Sequence, residues 1–213
     1  MFCGMMEERG NFMQILIILI SYLLGTILFG EIVTQVLTHH SASELGTSGN
    51  PGMANVMAHL GIVPGVIVLL GDVGKCLLAA LLSAHFLGDQ GLLLGGLAAT
   101  IGHDFPFWRH FKGGKGVATT CILIFMYAPL YGLFSLIMGL ITVIITQYLS
   151  LGGIVIPLLM IPYAFYQNVS DGIVMIIFTL LMIYKFMPQL KLIPSHQAEK
   201  TDLIGAIKRK RRK

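Results

Sequence analysis

The chain has 213 residues and a formal net charge of +4, yet only 11% of its residues are charged while 55% are hydrophobic. A soluble domain carries about 25% charged residues, so this composition cannot cover a globule with polar surface and excludes an ordinary soluble protein. Nothing in the charge pattern implies a nucleic-acid partner.

The first apolar run, Phe12 to Leu37, exceeds the roughly 20 residues that cross a bilayer. Glu7 and Glu8 flank it beside Arg9, and no small-residue cleavage site follows Leu37, so it reads as a retained span and not a signal peptide. Glu31 lies inside it, either facing a polar cavity or capping its end. A second span is expected over Val56 to Leu87, broken near Pro64 and again at the Gly71-Asp72 step. A short third runs over Gly91 to Ile101, and others fall near Val117 to Tyr131, Gly132 to Tyr148, Gly152 to Tyr166 and Gly172 to Met187. The sum is an all-α, polytopic helical membrane protein of about six or seven transmembrane helices, because backbone groups in lipid must be paired within their own segment.

Cytoplasmic loops collect Lys and Arg. Arg109, Lys112 and Lys115 share a side with the basic run Lys208 to Lys213, which places the amino terminus outside and the carboxyl terminus in the cytosol. Residues 1–193 read as one integral membrane domain. Residues 194–213 read as a polar, then basic, cytosolic tail that can attract anionic lipid headgroups. Cys3, Cys76 and Cys121 are scattered without metal-ligand spacing; they read as reduced and structural, and no metal or cofactor is expected.

Three segments carry chemistry. In Gly102 to Thr119, glycines interleave with Lys112 and Lys115 ahead of a helix beginning near Val117. Backbone N–H groups, the amino-terminal helix end and the lysine charges all favour an anion. The spacing is not that of a nucleotide P-loop, and an interfacial loop with orienting lysines is the plainer alternative. Phe105, Phe107, Trp108 and Phe111 bed this loop at the interface. In Thr47 to Val56, Ser48, Asn50 and Asn55 offer hydrogen bonds on a glycine-rich turn, where a helix cap is the commoner use. Asp72 and Lys75, at i, i+3 in an apolar run, either pair along one helix face or hold an anion through Lys75. Among the scattered histidines His103 alone has a suggestive setting, catalytic or simply hydrogen-bonding.

Together these segments resemble the PlsY family of bacterial membrane glycerol-3-phosphate acyltransferases. The family motif GHxFPxxxxFKGGKGVAT is matched throughout Gly102 to Thr119, and SGNxGATN is matched at Ser48, Gly49, Asn50, Gly52 and Asn55. The Asp-x-x-Lys element falls at Asp72 and Lys75, and Tyr22 to Thr26 and Tyr148 to Leu151 are similar to further family positions. The resemblance implies transfer of an acyl group from acyl-phosphate to the 1-position of glycerol 3-phosphate, giving lysophosphatidic acid and phosphate without a cofactor. It implies Ser48, His103 and Lys115 as catalytic candidates. For substrate and phosphate it implies Ser48, Gly49, Asn50, Asn55, Asp72, Lys75, Lys112, Gly113, Gly114, Lys115, Gly116 and Thr119. It also implies a multi-pass protein of the bacterial cell membrane with its site facing the cytosol, surrounded by membrane lipids and linked to an enzyme that makes acyl-phosphate.

The chain departs from the family pattern at Met53 and Ala54, and at Ala58, where an Arg is usual. In the third family motif, Phe186, Gln189 and Leu192 stand for His, Asn and Arg, while Glu199 is retained one residue out of register. These departures keep open a same-fold paralogue that binds phosphorylated lipid precursors without turnover or uses another acceptor. A transporter is the third reading; broken helices suit one, but repeated halves are absent.

Overall fold

The computed structural model of the chain describes residues 2–46, 49–198 and 200, with side chains described from residue 11 onward. Ser48, Glu199 and the basic run Lys208 to Lys213 lie outside the described residues. Among the described residues all regular structure is helical: α1 (Phe2–Gly25), α2 (Phe29–Thr38), α3 (Met53–Leu60), α4 (Ile62–Leu87), α5 (Asp89–Asp104), α6 (Val117–Tyr127), α7 (Pro129–Thr146), α8 (Leu149–Gln167) and α9 (Val169–Leu190), with 3-10 turns at Ala42–Glu44 and Phe107–Arg109. Among the described residues, five stretches are long and apolar enough to cross a membrane: Asn11–Thr38, Ile62–Leu87, Pro129–Thr146, Leu149–Gln167 and Val169–Leu190. The expected larger number counts α5 (16 residues) and α6 (11 residues) as crossings too.

Two expectations about continuity are corrected. The first apolar run is not one helix: α1 ends at Gly25 and α2 begins at Phe29. The turn between them turns carbonyls away from the helical ladder, and side chains from elsewhere take them. Trp108 Nε1 donates to the Thr26 carbonyl at 2.9 Å, and Lys75 Nζ donates to that of Ile27. Such partners are required for any broken helix at membrane depth, and a local pattern cannot show them. The second apolar stretch breaks at Gly61 (φ +100°), not at Pro64 or Gly71-Asp72. Pro64 occupies the first turn of α4, where the missing N–H costs no helical bond. Gly71 lies within α4 because the Phe29 ring packs on it; a Cβ there would come within 2.2 Å of the ring.

The chain divides into two compact units, Met1–Leu123 and Ile124–Lys213. In the first, α5 packs against α1 and α4 on a bed of small residues, with Cys76, Ala79 and Ala99 at its centre. Lipid tails are as apolar as the side chains, so helices in a bilayer associate through close packing more than through hydrophobic gain. Gly25 and Gly102 show the requirement: Cβ atoms there would meet the carbonyl oxygens of Ala99 at 2.0 Å and Tyr22 at 2.1 Å. Ser21 and Ser83 hydrogen-bond across α1 and α4 at 2.9 Å. In the second unit α8 packs against both α7 and α9. The α7 and α8 backbones come together at Gly139 and Gly152, where a Cβ on Gly152 would lie 2.6 Å from the Gly139 carbonyl oxygen. Tyr127 donates to Asp171 at 2.8 Å, and the Tyr131 and Tyr163 rings stack with centroids 4.2 Å apart.

Candidate functional site

The glycine loop folds back on the end of α5. Gly113 N–H donates to the Asp104 carbonyl at 3.1 Å, and Gly114 N–H to that of His103 at 2.9 Å. These bonds satisfy two of the carbonyls that a helix end leaves without partners. The approach is too close for any side chain: a Cβ on Gly113 would sit 2.1 Å from the His103 carbonyl oxygen, and one on Gly114 1.8 Å from His103 Nε2. Gly116 then turns with φ +65° into α6. Thr119 Oγ1 donates to the Gly116 carbonyl at 2.9 Å and accepts from Thr100 Oγ1 at 3.0 Å, which ties the start of α6 to α5. Lys112 is exposed and Lys115 half-buried.

Beneath this loop lies a buried ionic group. Lys75 Nζ is 2.8 Å from Asp72 Oδ1, so the i, i+3 pairing read from the sequence is formed. Lys75 Nζ is also 3.0 Å from His103 Nδ1, and His103 Nδ1 is 3.4 Å from Asp72 Oδ1. All three residues are at most 5% exposed. Charges this deep require partners, since unpaired burial costs several kcal/mol per ion; here carboxylate and ammonium neutralise each other. Asp104, fully buried, places its carboxylate against Gly116, whose Cβ would lie 3.0 Å from both oxygens. Asp104 is a site neighbour that no motif residue type singles out; its signal in the sequence is an acid one residue from His103.

The first-motif turn approaches α2 directly: a Cβ on Gly30 would meet the Pro51 carbonyl oxygen at 1.6 Å. Gly49 takes φ +55° beside the Ser43 carbonyl. Asn55 Nδ2 donates to the Leu45 carbonyl at 3.1 Å, and Gly52 caps α3 through its backbone alone. A second unforeseen group joins this turn to the region before the glycine loop. Buried Glu31 accepts from Arg109 Nη2 at 3.2 Å, from Ala42 N–H at 3.1 Å and from Gln35 Nε2 at 3.1 Å. Arg109 also donates to Ser41 Oγ at 3.3 Å. Tyr22 OH donates to the Phe105 carbonyl at 2.9 Å. Thus Asn50, Asn55, Asp72, Lys75, His103, the loop from Lys112 to Gly116 and Thr119 all belong to the first unit. In the second unit Phe186 is buried, Gln189 half-buried and Leu192 exposed, toward or just beyond the end of α9.

A helical chain with five such apolar stretches, whose helix breaks are satisfied by side chains from neighbouring segments, is an integral membrane protein. Residues 15–195 match the family described as glycerol-3-phosphate acyltransferase. The chain is 38% identical over 200 residues to glycerol-3-phosphate acyltransferase 1 of Lactobacillus johnsonii, covering 91% of this chain and 95% of that one. Its structure is similar to the crystal structure of PlsY, an integral membrane glycerol 3-phosphate acyltransferase, in its glycerol 3-phosphate form. The TM-score is 0.81 and the identity 28%, covering 91% of this chain and 98% of that one. The lysophosphatidic acid form of that enzyme gives a TM-score of 0.77 at 29% identity, covering 88% and 94%. The chain belongs to the glycerol-3-phosphate acyltransferase family.

Proposed function

We propose that the chain transfers an acyl group from acyl-phosphate to the 1-hydroxyl of glycerol 3-phosphate, in phospholipid synthesis. The hydroxyl oxygen attacks the acyl carbon, the bond from that carbon to the phosphate oxygen breaks, and phosphate leaves with the electron pair. The hydroxyl proton passes to the departing phosphate, and lysophosphatidic acid remains. The donor is already an activated anhydride, so the protein need mainly align the hydroxyl and stabilise developing negative charge.

The observation that carries the reading is the glycine loop, pinned to the end of α5 by Gly113 and Gly114 and flanked by Lys112 and Lys115. Because the Asp104 carboxylate already faces the start of α6, the helix end alone is a weak anion site. Lys112 and Lys115 would supply the countercharge to phosphate, with Ser48, Gly49, Asn50 and Asn55 as polar contacts from the first-motif turn. Ser48, His103 and Lys115 remain the residues assigned to the reacting groups, and Gly114, Gly116 and Thr119 shape the loop. The basic residues Arg109, Lys112 and Lys115 around the loop support a site on the cytosolic side of a bacterial cell membrane, where glycerol 3-phosphate is soluble and acyl chains enter from lipid.

The test supplies purified protein in lipid with acyl-phosphate and labelled glycerol 3-phosphate. Lysophosphatidic acid and phosphate are expected in equal amounts. No product from folded protein, beside an active homologue, would overturn the reading. The substitutions in the third motif, Phe186, Gln189 and Leu192, favour one other outcome, binding of glycerol 3-phosphate without turnover, which equilibrium binding would reveal.

A further inference from the structure

Trp108 is tied to the interior of the first unit. Its indole N–H donates to the Thr26 carbonyl, and the next carbonyl, that of Ile27, accepts from Lys75 Nζ. Two residues further on, the Phe29 ring packs against Gly71. These contacts hold the turn Phe107–Arg109 at the level of Gly71 to Lys75 on α4. The end of α5 lies at the same level, since His103 Nδ1 is 3.0 Å from Lys75 Nζ.

Helix α4 continues well past that level. It begins at Ile62, and at 1.5 Å per residue the stretch Ile62 to Gly71 adds about 14 Å of helix. Every residue in this stretch is aliphatic, proline or glycine. Ile62, Val63, Val66, Ile67 and Leu70 are exposed, by 39% to 70%. Five bare aliphatic side chains with no charge among them need lipid as their solvent. Lipid therefore extends beyond the level of the glycine loop.

The rim of the loop is built for the same surroundings. Phe107, Trp108 and Phe111 are 55%, 47% and 60% exposed, and the one polar atom of Trp108 is already paired. His110 and Phe111 both take left-handed backbone, at φ +51° and +61°, which residues with a Cβ rarely adopt. The turn holds Phe111 outward although Pro106 and Gly114 on either side are buried. In water this would cost both backbone strain and exposed ring area. Irregular backbone at membrane depth needs its polar groups paired inside the protein. The Arg109 and Phe111 N–H groups donate to the Pro106 carbonyl, and that of Lys112 to the Arg109 carbonyl. Gly113 and Gly114 donate to α5, and the Phe105 carbonyl accepts from Tyr22.

We propose that the glycine loop is recessed into the bilayer, with Phe107, Trp108 and Phe111 as its lipid-facing rim and phospholipid acyl chains as the partner of that rim. Exposed Lys112, one residue past Phe111, reaches from the rim to the headgroups along its apolar stem. One consequence rests on the acyltransfer reading. An acyl donor reaches the loop sideways, its chain never leaving lipid, and only glycerol 3-phosphate approaches from water.

Trp108 is the one tryptophan in the sequence, so the native protein carries its own reporter. In vesicles of phosphatidylcholine and phosphatidylglycerol brominated on their acyl chains, its emission should fall by about twofold or more. Iodide in the water on both faces should change it little. Quenching by iodide with none by bromine would place the rim in water, and protection from both would place protein against it; either result would overturn the inference. Trp108→Phe combined with Phe111→Trp moves the reporter along the rim and should repeat the native pattern; quenching of that variant by iodide alone would also overturn it. The two readings separate cleanly. Inactive protein with a bromine-quenched tryptophan would sink the acyltransfer reading and leave the recessed loop standing, and active protein with a water-exposed tryptophan would do the reverse.

Discussion

Glu31 on α2 and Arg109 in the 3-10 turn before the glycine loop meet at 3.2 Å, with side chains only 5% and 13% exposed. The same carboxylate oxygen accepts the Ala42 N–H at 3.1 Å, so one acid holds both the approach to the first-motif turn and the approach to the glycine loop. Removing one partner of a buried pair costs about 3–5 kcal/mol, and the slight exposure of Arg109 lowers the expectation here. Glu31→Gln and Arg109→Gln should each destabilise the protein by about 2 kcal/mol. The double variant should lose less than the sum, by about 1 kcal/mol or more. Thermal unfolding in detergent measures the cycle; additive losses would mean that the pair is not coupled.

The glycines of the first unit divide sharply by surroundings. Gly114→Ala would drive a methyl group to within 1.8 Å of His103 Nε2. It should abolish acyltransfer or lower its rate by at least about a hundredfold, because displacement of a positioned group by an ångström costs that much. Gly74 in α4 has nothing within 4 Å of a Cβ. Gly74→Ala should leave activity intact and raise stability by up to about 1 kcal/mol through helix propensity. A tolerant Gly114 would show that the loop is not held in this form.

Lys115→Ala should weaken glycerol 3-phosphate binding by about tenfold or more, the scale of one charge-assisted contact, without unfolding the protein. Isothermal titration and circular dichroism read the two halves separately. Unchanged affinity would leave the loop lysines as orientation signals only.

Trp108→Phe keeps the aromatic surface but loses the 2.9 Å bond to the Thr26 carbonyl. A stability loss of about 1–3 kcal/mol follows from leaving that acceptor unpaired. Lys75→Met should be the more damaging variant, because Asp72 would keep its buried charge without the ammonium 2.8 Å from its carboxylate. No difference between the two variants would remove the case for Lys75 as the ionic centre of the unit.

The helices and the glycine loop were legible because they depend on local signals. Long apolar runs announce spans, and Gly102 to Thr119 carries its own turn chemistry and charges. Asp72 and Lys75 were visible as a pair because helical spacing alone brings them together. The break at residues 26–28 was not visible, since Trp108 and Lys75 make it tolerable from far along the chain. Pro64 and Gly71 misled for the opposite reason. Each looks like a local breaker, but a first-turn position and a packed phenylalanine ring make them ordinary helical residues. Glu31 was conspicuous as an acid in an apolar run, yet nothing near it in sequence named Arg109 as its partner.

The turn at Thr26 to Leu28 separates two requirements that hydropathy treats as one. A generic run of leucines grafted over Asn11–Thr38 would be apolar enough to cross a bilayer. As an unbroken helix it would keep its carbonyls for its own ladder, and Trp108 and Lys75 would have none to bind. Such a chimera would insert in the membrane with wild-type efficiency and then fail to dock its next helices. Membrane insertion and internal assembly of this protein are therefore separable by redesigning a single turn.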